Sequence, residues 1–152
     1  CNVNKIASDV VELLESKVNE NVDLIFEAQP YIRPFYSNPD RLKELFINLI
    51  DNAIKYTESG TVTVECKEEY QNRIIIVRDT GVGIPREHLP RIFERFYRVD
   101  KGRSRKIGGT GLGLSIVKHI VQLYDGNIEV NSELGKGTEF KITLPYRNER
   151  VR

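Results

Sequence analysis

Three short stretches of this chain carry the residue types from which a nucleotide site can be built. They occupy residues 48–56, 79–84 and 108–114, in that order. The first offers side-chain amides and a lysine, the second a carboxylate followed by glycines, and the third a glycine-rich backbone. Each stretch alone is ordinary, but their combination predicts a site for a metal ion, a base and phosphates.

The first stretch lies on a predicted helix. Glu44, Asn48, Asn52, Lys55 and Tyr56 recur at offsets of three to four residues, so they share one polar stripe of that helix. Amide oxygens are hard, neutral ligands that suit Mg²⁺, which also takes oxygens from substrate phosphates. Lysine supplies a point charge for the same phosphates. The alternative is a solvated helix face without a ligand.

The second stretch places a carboxylate at the end of a strand. Asp79 follows four β-branched residues and precedes a turn with Gly81 and Gly83. An ionised aspartate only accepts hydrogen bonds, and the exocyclic amine of adenine donates them. We therefore predict that Asp79 recognises a base. An Asp-Thr-Gly sequence also occurs in ordinary turns, which is the alternative here.

The third stretch, at residues 108–114, could hold phosphates at the start of a helix, where free N–H groups and the helix dipole favour anions. It lacks the context of a Rossmann fingerprint, because it follows a basic loop instead of a strand. It is not a Walker loop either, because no Gly-Lys-Ser/Thr follows. The glycines alone therefore do not specify the ligand.

The basic loop at residues 99–109 separates the second and third stretches. Its cluster consists of Lys101, Arg103, Arg105 and Lys106, with Arg98 just before it. A nucleic-acid patch is one interpretation, but the cluster has no interleaved aromatic residues and the whole chain has a net charge of +1. A cationic lid that closes over a triphosphate fits this composition better.

Length and composition predict one globular domain. The chain has 152 residues, of which 39% are hydrophobic and 30% charged, and no apolar run approaches the roughly 20 residues of a membrane helix. Cys1 and Cys66 have no metal-ligand spacing, which favours a reducing compartment. The absence of methionine suggests a piece of a longer protein. We predict a single domain over residues 1–152, with a core at 4–146 and a tail at 147–152.

Hydrophobic periodicity predicts a mixed α/β order of elements. The expected helices cover residues 4–18, 39–56, 87–97 and 111–124, and the expected strands cover 22–28, 60–66, 73–79, 127–131 and 138–145. Ser37 or Asn38 is the expected cap of the second helix. This order predicts a two-layer α/β sandwich, in which three main helices pack on one face of a mixed five-stranded sheet.

The order and spacing of these stretches resemble the ATP-binding catalytic domain of bacterial sensor histidine kinases, in the superfamily shared with gyrase, Hsp90 and MutL. Residues 48–56 resemble the N box of that family, 79–84 the G1 box, 93–100 the F box and 109–114 the G2 box. The resemblance extends over about residues 4–146. It implies the Bergerat fold, with Mg²⁺ and ATP between the N-box helix and a flexible lid.

The resemblance also implies roles for individual residues, in three groups. The group at Mg²⁺, the phosphates and the ribose comprises Asn48, Asn52, Lys55 and Tyr56, with the two asparagines as the metal ligands. The group at adenine comprises Asp79, Gly81, Gly83, Ile84 and, through water, Thr138. The lid and phosphate group comprises Arg98, Lys106, Gly109, Thr110, Gly111, Leu112 and Gly113.

The residue at position 48 bears on the reaction that the resemblance implies. Members that hydrolyse ATP carry a glutamate four residues before the metal-binding asparagine, and this chain has Asn48 there, whose amide cannot take a proton. Glu44 lies one turn further back. Phosphoryl transfer to a partner is therefore expected, with Asn48, Lys55 and Arg98 as the catalytic residues.

The resemblance implies that the acceptor histidine lies on a separate dimerising hairpin. His88 and His119, the two histidines here, lack the sequence context of a phosphoacceptor, so structural or solvated roles are expected for both. The implied partners are that phosphoacceptor domain and a cognate response regulator, without nucleic acid and without direct membrane contact. The isolated domain is expected to be a monomer, and the parent a homodimeric integral membrane protein with this domain in the cytoplasm.

Two rival functions remain open at this point. A serine kinase of the anti-sigma type shares the superfamily, but more often has a carboxylate at the position of Asn48. A degenerate module that only docks on partners is the second rival, and the complete boxes argue against it.

Overall fold

The computed structural model describes residues 1–97 and 113–146 of the chain. Its helices are α1 (Val3–Leu14), α2 (Pro39–Lys55) and α3 (Gly113–Leu123), with short 3-10 helices at Glu15–Lys17 and Arg86–Arg91. Its strands are β1 (Val22–Ala28), β2 (Gly60–Glu69), β3 (Asn72–Asp79), β4 (Asn127–Glu133) and β5 (Gly137–Leu144). In these residues no helix combines the length and the apolar character needed to cross a membrane.

The five strands form one mixed sheet in the order β1-β2-β3-β5-β4. β1 and β2 are parallel and are joined through α2, whereas the pairs β2–β3, β3–β5 and β4–β5 are antiparallel. Parallel neighbours require a crossover, and α2 provides it. The predicted five-stranded mixed sheet is confirmed.

The three helices cover one face of the sheet, as predicted. Alternate residues of β2 and β3, such as Val62, Val64 and Ile75, belong to the same buried cluster as the inward faces of the helices. α2 lies between α1 and α3 and contributes six buried residues, namely Leu42, Leu45, Phe46, Leu49, Ile50 and Ala53. Helical periodicity and strand alternation therefore converge on one core.

Local signals begin and end these helices. Asn38, one of the two predicted caps, accepts a hydrogen bond from the N–H of Asp40 at 2.9 Å, and Pro39 occupies the first helical turn of α2. After the last turn of α3, Asp125 has a φ of 56° and the N–H of Gly126 donates to the carbonyl of Val121 at 2.9 Å. These contacts terminate α3 where the sequence predicted.

The structure corrects two predicted elements. The prediction of a helix over residues 87–97 is wrong, because the observed 3-10 helix ends at Arg91 and turns follow it. Pro90 interrupts the helical hydrogen bonding, and Phe96 has a φ of 65°, which no regular helix contains. The hairpin between β2 and β3 is tighter than expected, since only Tyr70 and Gln71 separate the strands. Both have positive φ, of 49° and 71°, as two-residue hairpins require.

The opposite face of the sheet carries charged side chains. Arg78 donates to Glu65 at 2.8 Å and to Glu139 at 3.2 Å, which links three adjacent strands. Ile74 and Ile76 also point to this face, because they alternate with the core residues of β3, and both are nevertheless buried. Long charged side chains thus cover the apolar residues of a face that lacks helices.

Cys66 lies on the core side of β2 and is fully buried. Burial, with a further contribution from Glu65, raises the pKa of its thiol to about 12. Cys1 is also a free thiol, and it donates to the carbonyl of Ser37 at 2.9 Å. Neither cysteine takes part in a disulfide.

A buried arginine anchors the loop after β1. Arg73 is 1% exposed, and its guanidinium donates to the carbonyls of Arg33, Pro34 and Gln71 at 2.9–3.1 Å. The guanidinium also lies 6.0 Å from the ring centroid of Phe35. Burial lowers the pKa of Arg73. Two of these hydrogen bonds, to Arg33 and Pro34, hold this loop against the sheet, and the third binds the turn between β2 and β3.

Replacement of Arg73 by Met should lower the free energy of unfolding by about 2 kcal/mol, because three carbonyls lose their charged donor. Removal of the desolvated charge offsets part of this loss. Chemical denaturation measures this change. Arg73→Lys should lose less, since it retains one donor group, and Arg41→Met on the surface of α2 should change the value by less than about 0.5 kcal/mol. Equal stability of Arg73→Met and the unmodified chain would contradict this role.

Candidate functional site

Tyr56 of the first stretch and the turn after Asp79 of the second meet at one end of the sheet. The register pairs Asp79, at the end of β3, with Val62 of β2 and with Thr138 of β5, and it pairs Thr138 with Ser132 of β4. The C-terminal end of α2 also reaches this point, because the N–H of Val82 donates to the carbonyl of Tyr56 at 3.2 Å. Segments distant in sequence therefore form one cleft.

Asp79 is held by backbone N–H groups. Within the described part of the chain, both hydrogen bonds to its carboxylate go to Oδ1, from the N–H of Gly81 at 2.9 Å and from that of Thr138 at 3.3 Å. Burial raises the pKa of the Asp79 carboxyl, and these two hydrogen bonds oppose the rise only in part. One oxygen is thus fixed by the protein, and Oδ2 remains for a ligand.

The turn after Asp79 is packed backbone to backbone. A Cβ atom on Gly81 would lie 2.1 Å from the carbonyl oxygen of Tyr56, and one on Gly83 would lie 2.2 Å from that of Glu133. Gly83 also has a φ of 76°. The atoms nearest to both Cβ positions belong to the protein, and the approach of this backbone to a base, which the resemblance implies, stays a prediction. Both glycines are therefore needed to build the cleft itself.

Thr138 and Ile84 line the same region as Asp79. Thr138 is 7% exposed and its Oγ1 lies 2.8 Å from Oγ of Ser132, whereas the N–H of Ile84 donates to the same Ser132 Oγ at 2.7 Å. Ile84 also packs against the core. The sequence analysis missed Ser132, although strand alternation places it on the core side of β4 after Ile128 and Val130. A polar residue at an inward position was the available signal.

The asparagine pair occupies adjacent turns of α2. Asn48 and Asn52 are both half-buried. Asn48 Nδ2 donates to the carbonyl of Glu44 at 2.8 Å, and this fixes which way its amide faces. Its Oδ1 is directed toward the start of α3, because a Cβ atom on Gly113 would lie 3.2 Å from it. The amide oxygen beside Gly113 suits a hard cation that also binds phosphate oxygens.

A metal ion at this position would depend on amide and ligand oxygens. Residues 1–97 and 113–146 contain no group of three or more His, Cys, Asp or Glu side chains placed to hold a metal ion. Mg²⁺ commonly binds through few protein ligands, several waters and substrate phosphates. The donor set around Asn48 and Asn52 fits such a nucleotide-bound ion.

Lys55 and Glu44 have partners on their own helix. Lys55 Nζ lies 3.1 Å from Oδ2 of Asp51, so the lysine predicted at the phosphates forms an ion pair in the free protein. Glu44 lies 3.5 Å from Arg41 at the exposed beginning of α2. A carboxylate in that ion pair is poorly placed to activate a water molecule near Asn52.

The aromatic residues before the predicted lid have different environments. Phe93 packs edge-on against Phe140 with ring centroids 6.2 Å apart, whereas Phe96 is 63% exposed. His88, expected to be exposed, is half-buried, and its Nδ1 forms a short hydrogen bond with the hydroxyl of Tyr97. His119 is exposed. Both histidines therefore have the structural or solvated character that was predicted.

Part of the predicted site lies outside the described residues. This part consists of Arg98, Lys106, Gly109, Thr110, Gly111 and Leu112, together with the rest of the proposed lid. Gly113, the last glycine of the third stretch, is the first residue of α3. Its approach to Asn48 brings the first and third stretches together.

Asp79→Asn should raise the stability of the ligand-free protein near pH 7. Folding raises the pKa of the Asp79 carboxyl, so above that raised pKa its ionised form destabilises the folded state relative to the unfolded state. This destabilisation disappears below the ordinary pKa of 3.8, because the carboxyl is then protonated in both the folded and the unfolded state. Thermal unfolding from pH 3 to pH 8 should show an advantage of the variant that grows with pH. Asp23→Asn, on an exposed position of β1, is the control, and an advantage that does not change with pH would contradict this assignment.

Comparison with known families gives a match over most of the chain. Residues 37–148 match the family described as histidine kinase-, DNA gyrase B-, and HSP90-like ATPase. This range includes all the site residues discussed above.

Curated relatives with substantial identity include a sensor histidine kinase and a sensor protein. The chain is 46% identical over 149 residues to the sensor histidine kinase WalK of Bacillus subtilis, which covers 96% of the chain and 24% of that protein. It is 50% identical over 107 residues to the sensor protein SrrB of Staphylococcus aureus, which covers 70% of the chain and 18% of that protein. The chain thus spans a quarter or less of the length of these relatives.

Solved structures of similar fold include a complex with AMPPNP and a nucleotide-free histidine kinase domain. Full-length ShkA in complex with AMPPNP superimposes with a TM-score of 0.84 at 27% identity, over 97% of this chain and 31% of that one. The nucleotide-free catalytic domain of ThkA gives a TM-score of 0.82 at 30% identity, over 95% and 93% of the two chains. The family match and these relatives agree with the geometry of the cleft. The chain belongs to the histidine kinase-, DNA gyrase B- and HSP90-like ATPase family, and its relatives include the sensor histidine kinase WalK.

Proposed function

We propose that this chain is the catalytic domain of a sensor histidine kinase, which binds Mg·ATP and transfers the γ-phosphoryl group to a histidine on a separate phosphoacceptor hairpin. The observation that carries the proposal is the half-buried Asp79 carboxylate, with Oδ1 fixed by two N–H groups. The C-terminal end of α2, the helix that carries the asparagine pair, reaches the turn after Asp79, in a chain of this family.

The base is recognised by Asp79. Its Oδ2 accepts a hydrogen bond from the 6-amino group of adenine, while Oδ1 keeps its bonds to Gly81 and Thr138. Because the backbone fixes this carboxylate before the ligand arrives, little ordering is required on binding. Ile84, partly buried beside the turn, supplies apolar surface for the base.

The phosphates lie along α2. Asn48 and Asn52 hold Mg²⁺ through their amide oxygens, and when bound the ion supplies positive charge to the phosphate oxygens. Lys55 exchanges part of its interaction with Asp51 for the phosphates. Arg98, Lys106 and the glycine-rich residues 109–113 complete this part of the site, with Arg98 near the terminal phosphate.

The transfer step needs a nucleophile from outside this chain. An imidazole nitrogen of the acceptor histidine attacks the γ-phosphorus, the bond from phosphorus to the β,γ-bridging oxygen breaks, and ADP leaves with the electron pair. Asn48, Lys55 and Arg98 position the phosphates and neutralise their charge. Hydrolysis is slow, because Asn48 cannot take a proton from water and Glu44 interacts with Arg41.

The parent protein supplies the remaining components. The hairpin belongs to the dimerising phosphoacceptor domain of the same kinase, and a cognate response regulator receives the phosphoryl group from it. In this proposal the isolated domain is monomeric, and the parent is a homodimer of the bacterial cell membrane with this domain on the cytoplasmic side.

Asp79→Asn should weaken ATP binding by roughly one to two orders of magnitude. The two N–H groups hold the amide oxygen, so the amide NH₂ would face the 6-amino group of adenine, and both groups are hydrogen-bond donors. Displacement of a fluorescent ATP analogue measures this affinity with Mg²⁺ present. Asp23→Asn, on the exposed face of β1, is the matched control and should bind as the unmodified chain does. Unchanged ATP affinity in folded Asp79→Asn would show that Asp79 does not recognise the base.

Phosphoryl transfer tests the reaction itself. We expect the domain, mixed with the phosphoacceptor hairpin of its parent and radiolabelled ATP, to label the hairpin only when Mg²⁺ is present. The product should be labile to acid and stable to base, as expected for phosphohistidine. Asn52→Ala should slow labelling by about 100-fold or more, since it removes one of the two amide ligands. An acid-stable product would favour a serine kinase, and labelling without a divalent ion would contradict the metal assignment.

A further inference from the structure

A serine hydroxyl joins three segments beside Asp79. Ser132 Oγ accepts the N–H of Ile84 at 2.7 Å, lies 2.8 Å from Thr138 Oγ1 and donates to the carbonyl of Gly137 at 3.1 Å. It lies on the core side of β4, directly across from Thr138. The recognition of nucleotide described above assigns it no role.

The number of protons determines the direction of these hydrogen bonds. A serine hydroxyl has one proton and two lone pairs. Ile84 occupies one lone pair. The geometry directs the serine proton to the Gly137 carbonyl, which can only accept. The second lone pair of Ser132 then accepts the hydroxyl proton of Thr138. With its proton engaged by Ser132, the Thr138 hydroxyl presents only lone pairs to its remaining neighbours.

This direction places two acceptors side by side in the cleft. The N–H of Thr138 donates to Asp79 Oδ1 at 3.3 Å, so the threonine lies next to the carboxylate. An ionised carboxylate also only accepts. In direct contact, a 6-amino purine offers two N–H donors to such a pair, whereas a 6-oxo purine presents an oxygen that would face two acceptors.

We propose that Ser132 is a positioning residue for base selectivity, because it holds the Thr138 hydroxyl as a hydrogen-bond acceptor beside Asp79 and so favours 6-amino over 6-oxo purine nucleotides. The inference rests on the proposed function and deepens it. Ser132 acts through Thr138 and through the backbone of Ile84, and it contacts no reacting atom.

The test compares ATP and GTP affinity in variants of this chain, with Mg²⁺ present, by displacement of a fluorescent nucleotide. Ser132→Ala releases the Thr138 proton, which can then be donated to a 6-oxo group. We expect its ATP affinity to fall about three- to tenfold while GTP affinity holds or rises, so the ratio of the two affinities falls. Ser132→Thr, which keeps the hydroxyl, should restore most of the ratio.

A double-mutant cycle tests whether Ser132 acts through Thr138. In the background of Thr138→Val, the Ser132→Ala change should alter the ratio much less than it does in the unmodified chain. Asn131→Ala is the matched control, because Asn131 is the preceding residue on β4 and points to the opposite face of the sheet. It should leave the ratio unchanged.

Two results would overturn this inference alone. One is a folded Ser132→Ala variant with the ATP-to-GTP ratio of the unmodified chain. The other is an equal loss of both affinities together with a lower unfolding temperature, which would give Ser132 a purely structural role. An unmodified domain that binds neither nucleotide would instead overturn the proposed function, and this inference with it.

Discussion

The close backbone packing around Asp79 is the constraint on which the candidate site depends. A Cβ atom on Gly137 would lie 2.0 Å from the Asp79 carbonyl, and those on Gly81 and Gly83 would meet the carbonyls of Tyr56 and Glu133 almost as closely. α2, the turn after β3 and the β4–β5 hairpin therefore meet through main-chain atoms, where no side chain fits. Because main-chain contacts fix the carboxylate, its position does not depend on flexible side chains.

Much of the fold could be predicted from local patterns. The strands from Val22 and Gly60 and the cap at Asn38 follow from β-branched runs and a helix-start signal, and each of them fits the global arrangement. The prediction was wrong at residues 87–97 because aromatic residues recur there at helical spacing, while Pro90 and the backbone of Phe96 prevent a regular helix. Tyr70 and Gln71 form a turn without the usual asparagine or glycine, so composition gave no indication of its length.

The candidate site was predictable to the extent that its residues occur in recognisable stretches. Asp79 and Asn48 were identified because their residue type and position could each perform a function, and the structure brings Asn48 close to Gly113. Ser132 was missed because its hydrogen bond with the N–H of Ile84, which links it to the turn after Asp79, joins residues 48 positions apart. The ion pair between Lys55 and Asp51 was missed because Asp51 is not among the residues assigned to the polar stripe.

The buried thiol of Cys66 gives this domain an internal reporter of its own opening. A thiol reagent reacts with the thiolate form of cysteine. In the native state, a pKa of about 12 keeps the Cys66 thiol protonated, and complete burial keeps the reagent away from it. Labelling at this position therefore requires β2 to separate from the helices above it. Under conditions of rapid reclosing, the labelling rate measures the free energy of that separation, and a nucleotide that binds only the closed form would slow it in proportion to its affinity.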